Sequence, residues 1–352
     1  MAEVAEESII DFYTYPPIGR DDWRYAFETA QVRALETQML PAVTLLDMAN
    51  AENFDQAADL LTVSEYALPH GSKNFADVEN VLRLRRSAVR ELFEGLMIDK
   101  PIVELFRTRD DFANLRLALR RTLTEKPLGT DYSSDGNVSP EIFEEVFEQE
   151  NYELLPYYMQ RAIEQAILAY YQDKDIRRID YTIDQFQAQY NLTAARQLKS
   201  LFLLGLFRIQ IDLTNIRTML RLKFTESQQG PRLAGTKRNV FLKGGYVEFE
   251  RLEHGLELGY ESVGQLFFAT PYYQLIETGT DYLASDKSFL KLERQCEDYL
   301  TGFLKTTAQI TAGPQPIIAY LLIKENEIRT VRLILTAKRN FLDTKLILDR
   351  VS

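Results

Sequence analysis

The chain has 352 residues, of which 45% are hydrophobic and 26% charged, so it can form two or three packed domains and lacks a collagen-like, low-complexity or disordered composition. Its 41 basic and 52 acidic residues give a formal net charge of −11, which argues against binding to nucleic-acid phosphates as its main role. One cysteine, Cys296, and two distant histidines, His70 and His254, exclude an internal disulfide and a zinc site of the Cys/His type. The cysteine usage favours a reducing, cytosolic compartment.

The N-terminus and the apolar runs argue against export and membrane insertion. The first residues are acidic and lack the cationic start and apolar run of a secretory signal. The longest apolar runs have seven residues, 201–207 apart from Gly205 and 317–323, whereas a membrane-spanning helix needs about 20. We therefore expect a protein with no transmembrane segment.

Apolar residues recur at intervals of three and four in the N-terminal part, which is typical of amphipathic helices. The first stripe predicts one long helix and consists of Trp23, Phe27, Ala30, Ala34, Met39, Val43 and Leu46. The second stripe predicts a helix over 75–96 and consists of Phe75, Val78, Leu82, Val89, Leu92 and Leu96. The arginines of this second helix stand four residues from glutamates, which indicates a self-neutralised surface.

Helical patterns continue to the C-terminus. Ser139-Pro140-Glu141 has the residues preferred where a helix begins, and the spacing over 194–225 predicts a long helix with a buried apolar middle. Glycines and a proline between 227 and 245 predict a loop or boundary. Further helices are predicted at about 271–283, 287–306, 316–338 and 343–350. No strand-like alternation is recognisable, so the predicted fold class is all-α.

One motif occurs twice within the predicted helices, at an offset of 101 residues. Phe106-Arg107, Asp111 and Asn114-Leu115-Arg116 correspond to Phe207-Arg208, Asp212 and Asn215-Ile216-Arg217, and Glu327-Ile328-Arg329-Thr330 is a weaker third copy. We expect the Asp and Asn side chains to hydrogen-bond across to adjoining helices, because an unpaired buried polar atom costs about 1–3 kcal/mol. The predicted polar repeat comprises Asp111, Asn114, Arg116, Asp212, Asn215, Arg217, Glu327 and Arg329.

The position of the three copies indicates an internal duplication. Each copy closes a block of roughly 100–115 residues, and the first two lead to glycines before another helix. The predicted organisation is a tail over 1–20 followed by three helical repeats over 21–136, 137–245 and 246–352.

The third copy lies in a segment whose sequence resembles a motif of a known protein family. Residues 316–335, with the sequence PIIAYLLIKENEIRTVRLIL, resemble the C-terminal motif of the C-subunit family of V-type/archaeal-type rotary ATPases, whose eukaryotic V-ATPase member is called the d subunit. Tyr25-Ala26 and residues 32–36 follow the N-terminal pattern of that family loosely, and the turn at Gly244-Gly245 also fits. The tail through Pro17 and the loops at 129–138 and 227–243 depart from it.

The resemblance implies a fold and a role. Members of the family consist of three related helical units around a pseudo-threefold axis, which form a funnel-like socket. They lie between the central shaft of the ATPase head and the membrane rotor ring and transmit torque, without a catalytic site, cofactor or metal of their own. Because the chain is acidic, we expect it to be held on the cytoplasmic face of a membrane by protein partners and not by anionic lipid.

Two other classes of protein share single features with the chain. Asp110-Asp111-x-x-Asn114 superficially resembles the metal-binding motif of prenyl-transfer enzymes, but Ile211, which is not a ligand, replaces Asp110 in the second copy. A helical scaffold unrelated to rotary ATPases is the alternative function, although stacked repeats are shorter, at about 30–47 residues.

A basic loop is the candidate surface for partner subunits. It stands out in an acidic chain and contains Arg232, Lys237, Arg238 and Lys243. The alternative interpretation is a simple solvated loop.

Overall fold

The computed structural model describes residues 15–68, 74–124, 131–229 and 240–351. Regular structure in these ranges is helical throughout and contains no strand, so the predicted all-α class is confirmed. None of the helices in this part of the chain is long and apolar enough to cross a bilayer.

The described residues form fifteen α-helices. In chain order they are α1 (Ala26–Glu36), α2 (Ala42–Asn50), α3 (Phe54–Asp59), α4 (Phe75–Leu96), α5 (Lys100–Leu123), α6 (Pro140–Gln149), α7 (Tyr157–Asp173), α8 (Arg177–Gln197), α9 (Leu201–Gln229), α10 (Phe249–Glu257), α11 (Tyr260–Leu266), α12 (Tyr273–Asp286), α13 (Leu290–Lys305), α14 (Pro314–Arg339) and α15 (Thr344–Val351). Contacts divide the chain into unit 1, which holds α1–α4 and α11–α15, and unit 2, which holds α5–α10. The predicted three repeats are defined by recurrence of sequence, which a division by contacts does not test. They therefore stay a prediction.

Unit 1 is organised around α14. Pro314 suits the first turn of this helix because the amide it lacks would have no partner there. The helix contacts α1, α2, α3, α4, α13 and α15 and is buried along most of its length. Its apolar residues form a core with the helices of the N-terminal segment, for example Ile328 and Val331 with Met48 and Leu82. The two ends of the sequence therefore share one hydrophobic core.

Unit 2 contains its own core. The hairpin of α7 and α8 packs together, and α8 also contacts α5 and α9. Phe112 and Leu115 of α5 pack with Phe143 of α6 and with Ile163 and Ile183 of the hairpin. The face of α5 that carries Phe112 is thus fixed from several sides, which determines where its neighbouring polar residues lie.

Two predicted helices differ from the observed ones. The single helix predicted from Trp23 to Leu46 is wrong, because α1 ends at Glu36 and α2 begins at Ala42, after a connection that contains Pro41. Proline lacks an amide hydrogen and disfavours helical backbone in the residue before it.

The helix predicted over 194–225 is also interrupted. Lys199 adopts a positive φ of 52° between α8 and α9, and the Ser200 hydroxyl accepts from the Leu203 N–H at 3.2 Å. The helical spacing of apolar residues continues across this break, so periodicity alone does not reveal it. The buried apolar middle is confirmed, since Leu203, Leu206 and Ile209 are fully buried.

Candidate functional site

Asp111 and Asn114 lie one turn apart on α5, and both side chains are buried against the loop that follows the helix. The Asn114 Oδ1 accepts from the Ser133 N–H at 2.8 Å, and the Asn114 Nδ2 donates to the Ser133 carbonyl at 2.8 Å. One side-chain amide thus satisfies both backbone groups of a single loop residue. We call Asp111, Asn114 and their loop contacts the first clamp.

Asp111 holds the end of the same loop. Its Oδ1 accepts from the Val138 N–H at 3.0 Å, and its Oδ2 accepts from Asn137 Nδ2 at 2.9 Å. Burial raises the pKa of Asp111, while the hydrogen bonds from residues 137 and 138 act in the opposite direction. Because α6 begins at Pro140, the carboxylate lies close to the positive end of the next helix.

Asp212 and Asn215 make corresponding contacts from α9. The Asn215 Oδ1 accepts from the Leu242 N–H at 2.7 Å, and its Nδ2 donates to the Leu242 carbonyl at 2.9 Å. The Asp212 Oδ1 accepts from the N–H groups of Tyr246 and Val247, at 2.9 and 3.0 Å. We call this set the second clamp. It precedes α10, just as the first clamp precedes α6.

The two clamps agree in register although their loops differ in length. The residue held by Asn and the valine held by Asp are five apart in both loops, Ser133 and Val138 in one, Leu242 and Val247 in the other. The separation from the Asn to its held residue is 19 in the first clamp and 27 in the second. Eight extra residues are thus accommodated before the clamped segment and leave its geometry unchanged.

A glycine stands at the same place in each clamp. A Cβ added to Gly136 would overlap with Asp111 Oδ1, and a Cβ added to Gly245 would overlap with Asp212 Oδ1. In the second clamp, Arg208 Nη2 also donates to the Gly245 carbonyl at 3.1 Å. The close approach of backbone to carboxylate therefore requires glycine at both positions.

The third motif copy holds a different part of the chain. When the copies are superposed by sequence, Glu327 takes the place of Asn215, and Lys324 takes the place of the aspartate. The Glu327 Oε2 accepts from the Leu40 N–H at 2.8 Å, and the Tyr66 hydroxyl donates to Glu327 Oε1 at 2.6 Å. Leu40 precedes α2, so a carboxylate again holds a backbone amide ahead of a helix. We call this set the third clamp.

A buried ammonium group completes the third clamp. Lys324 is 1% exposed, and its Nζ lies 2.6 Å from Glu327 Oε1 and forms a second ion pair with Glu65. Burial, followed by the charge of Glu327, raises the pKa of the Tyr66 hydroxyl, which keeps it a neutral donor. The contacts of Lys324 and Tyr66 are not apparent from the sequence, since both residues resemble ordinary members of amphipathic helices.

The expected partners of the polar repeat were adjoining helices. The observed partners of the Asp and Asn residues lie in the loops, and they are backbone groups apart from the Asn137 side chain. The arginines of the repeat are different. Arg116 forms an ion pair with Asp184 of α8, and Arg329 lies 3.8 Å from Glu297 of α13. Arg217 is half-buried on α9. Arginine reaches a neighbouring helix because its side chain is long, whereas the short Asp and Asn side chains reach only groups of a loop that approaches closely.

The structure describes only part of the basic loop. Arg232, Lys237 and Arg238 lie outside the described residues. Lys243 is exposed and directly follows Leu242, which the second clamp holds. A role for these residues in partner binding stays a prediction.

The acidic pair on α5 does not face an open metal site. Both Asp111 oxygens accept hydrogen bonds from the following loop, and the Ser133 hydroxyl donates to Asp110 Oδ1 at 3.3 Å. Across the ranges that the structure describes, no group of three or more His, Cys, Asp or Glu side chains is arranged to hold a metal ion. The similarity to a prenyl-transfer motif therefore does not extend to its geometry.

The sequence was compared with protein families and with known proteins. The model of the family described as ATP synthase (C/AC39) subunit matches residues 29–350. The C subunit of the V-type sodium ATPase of Enterococcus hirae is 24% identical over 321 residues, which cover 91% of this chain and 95% of that protein. The family match spans the two units and all three clamps.

Proposed function

Because this chain belongs to the ATP synthase (C/AC39) subunit family, we propose that it is the central-stalk adaptor of a V-type ion-translocating ATPase or ATP synthase. It links the soluble shaft to the membrane rotor ring and transmits torque between them. The observation that carries this proposal is the match over residues 29–350, supported by a relative named as part of a V-type ATPase and similar over nearly its whole length. A helical scaffold unrelated to rotary ATPases has no comparable support.

The clamps suit a part that carries load. A rotating adaptor must keep its helices in register. The clamps hold loop backbone to helices through hydrogen bonds that are buried in the first two clamps and part-buried in the third. Charge-assisted hydrogen bonds of this kind contribute roughly 1.5–3 kcal/mol each. Close packing in the two cores adds resistance to deformation.

The proposed role is mechanical and not catalytic. Hydrolysis or synthesis of ATP and translocation of the ion take place in partner subunits, and this chain contributes no catalytic residue, cofactor or metal. In this proposal the chain keeps the three-repeat organisation that the family resemblance implies, and protein contacts hold it on the cytoplasmic face of the membrane.

A purification from native membranes tests the proposal. The full chain carries an affinity tag and is the only copy in the cell, and untagged cells serve as the control. We expect head and ring subunits to co-purify at a constant ratio to the chain. Recovery of the chain without either set of subunits would contradict the proposed function.

A transport assay separates torque transmission from simple attachment. In membranes of cells that lack the chain, ATP-driven ion uptake is lost while detached heads still hydrolyse ATP, and re-expression restores uptake. Unchanged uptake without the chain would exclude an essential role between head and ring.

The basic loop is the proposed contact surface for these partners. Reversing the charge of Arg232, Lys237, Arg238 and Lys243 is expected to weaken co-purification of head and ring subunits, because loss of opposite charge pairing lowers association rates. A matched control reverses four exposed lysines or arginines elsewhere. Equal co-purification of both variants would remove this loop from the interface.

A further inference from the structure

Helix α1 is fastened to unit 1 by one face only. Tyr25, Thr29 and Val32 are buried on this face. The Thr29 hydroxyl donates to the Gly313 carbonyl at 3.2 Å and accepts from the Gly313 N–H at 3.0 Å, while Arg33 Nη2 donates to the Thr307 carbonyl at 2.7 Å. The inner face of α1 thus carries most of its polar bonds.

The opposite face of α1, together with the turn that precedes it, is apolar and exposed. Trp23 is 67% exposed and Phe27 is 75% exposed, and Ala30 and Ala34 follow on the same side with solvent-accessible side chains. Spacings of four, three and four residues align these side chains along the helix. We call Trp23, Phe27, Ala30 and Ala34 the outer stripe. It contains no charged residue in a chain that is 26% charged.

The two arginines beside the outer stripe have acidic partners. Arg24 pairs with Asp22 at 2.6 Å, and Arg33 pairs with Glu36 at 2.8 Å. A partner that covers the stripe would therefore not have to neutralise these two arginines, which favours an uncharged partner surface. Apolar residues at helical spacing normally face the core of their own domain, but these face outward. Exposed apolar patches of this kind mark interaction sites.

The size of the outer stripe limits what covers it. Two large aromatic side chains and two alanines offer on the order of 400 Å², about half of the roughly 800 Å² that each partner of a stable complex buries. A symmetric dimer of this chain through the stripe alone would thus be too small. The stripe fits a single helix that belongs to a more extensive interface.

We propose that the outer stripe docks an uncharged, apolar helical segment of another subunit of the rotary ATPase; this inference rests on the proposed function. Ala30 and Ala34 allow the backbone of a second helix to approach closely, and Trp23 and Phe27 anchor one end of the contact. A membrane-surface helix would carry lysines and arginines on its polar face, whereas the polar face of α1 is bonded within unit 1.

Paired substitutions test the proposal in the full-length chain. Trp23→Ser and Phe27→Ser are introduced together into the tagged chain, expressed as its only copy. The matched control changes Leu154 and Tyr157 to serine, a pair with similar exposure of 52% and 71%. We expect co-purified head or ring subunits to fall at least about tenfold for the α1 variant and to stay unchanged for the control, as is typical of aromatic hot spots.

Two further measurements identify the occupant. The thermal midpoint of the α1 variant is expected within about 2 °C of wild type, because exposed side chains contribute little to folding. A photoreactive amino acid at position 27 in the purified complex is expected to cross-link to a helical peptide of another ATPase subunit.

Each contrary result has a distinct meaning. Normal co-purification of the α1 variant, a large fall in its thermal midpoint, or cross-links to lipid or to a second copy of this chain would each overturn the docking proposal. If the wild-type chain itself recovers no ATPase subunits, the proposed function fails along with it.

Discussion

Replacing Asp212 with alanine is expected to release the segment before α10. Its carboxylate is fully buried and accepts from the N–H groups of Tyr246 and Val247 at 2.9 and 3.0 Å. The variant removes both carboxylate oxygens. Gly245, which lies against them, has no side chain that could take their place. At about 1.5–3 kcal/mol for each hydrogen bond to a charged group, with water replacing part of the loss, we expect Asp212→Ala to lower the free energy of unfolding by about 3–5 kcal/mol.

Asparagine at position 212 refines the magnitude. It keeps the shape and one acceptor oxygen but removes the charge, so we expect a loss of about 1–2 kcal/mol, the difference between a charge-assisted and a neutral hydrogen bond. Asp281 of α12 is exposed, and its replacement by alanine is the control, with an expected change within about 0.5 kcal/mol.

Two measurements together check the reasoning. Urea unfolding followed by circular dichroism gives the change in stability, and amide hydrogen exchange at Tyr246 and Val247 reports on the clamp itself. Both amides should exchange faster in Asp212→Ala than in wild type and remain protected in Asp281→Ala. An Asp212→Ala protein with the stability and exchange rates of the control would show that the carboxylate does not hold this segment.

Three more predictions concern the other clamps. Gly136→Ala should lower the thermal midpoint measurably, since the added methyl group overlaps with Asp111 Oδ1, whereas Gly95→Ala, where nothing lies within contact distance, should not lower it. Glu327→Ala should cost about 3–5 kcal/mol in urea unfolding, because it leaves the Lys324 ammonium buried beside fewer carboxylates; a loss below about 1 kcal/mol would contradict the third clamp. Burial raises the pKa of Asp111 above its ordinary 3.8, so ionising this buried carboxyl costs stability even though the hydrogen bonds from residues 137 and 138 offset part of that cost; the stability of wild type relative to Asp111→Asn should therefore fall as pH rises from below 3.8 through the folded-state pKa in urea titrations, and a difference independent of pH would refute it.

Helices with continuous apolar stripes were predictable from the sequence. The helix expected over 75–96 is α4, and the one expected at 316–338 is α14, because both have long stripes that end at clear breaks. The rotary ATPase family indicated by residues 316–335 is confirmed by the family match.

The breaks inside predicted helices depend on local details that periodicity does not register. Pro41 precedes the first residue of α2, but the apolar spacing continues on both sides of it. Lys199 is neither glycine nor proline, and only the capping residue Ser200 marks the start of α9. The outward orientation of Trp23 and Phe27 could not be deduced either, since a stripe indicates an apolar face but not what covers it.

The polar repeat was predictable as a set of residues but not as a set of contacts. Asp and Asn recur at fixed spacing, whereas the segments they hold share no side-chain pattern beyond one glycine and one valine, and they begin at different distances from the helix. The glycine ahead of each held valine was the one available signal. In the third copy, Glu327 reaches Leu40 across 287 residues, a separation that no local pattern predicts.

Each Asn clamp recognises peptide groups and not side chains, since what Asn114 and Asn215 bind is the N–H and carbonyl of one residue. Any amino acid with a backbone amide hydrogen can occupy the held position, as Ser133 and Leu242 illustrate. The side chains of the clamped loops can therefore differ in charge, size and polarity with little effect on the stability of the helices that hold these loops. A chain built this way can offer a different chemical surface at each clamp while the path of the held main chain stays the same.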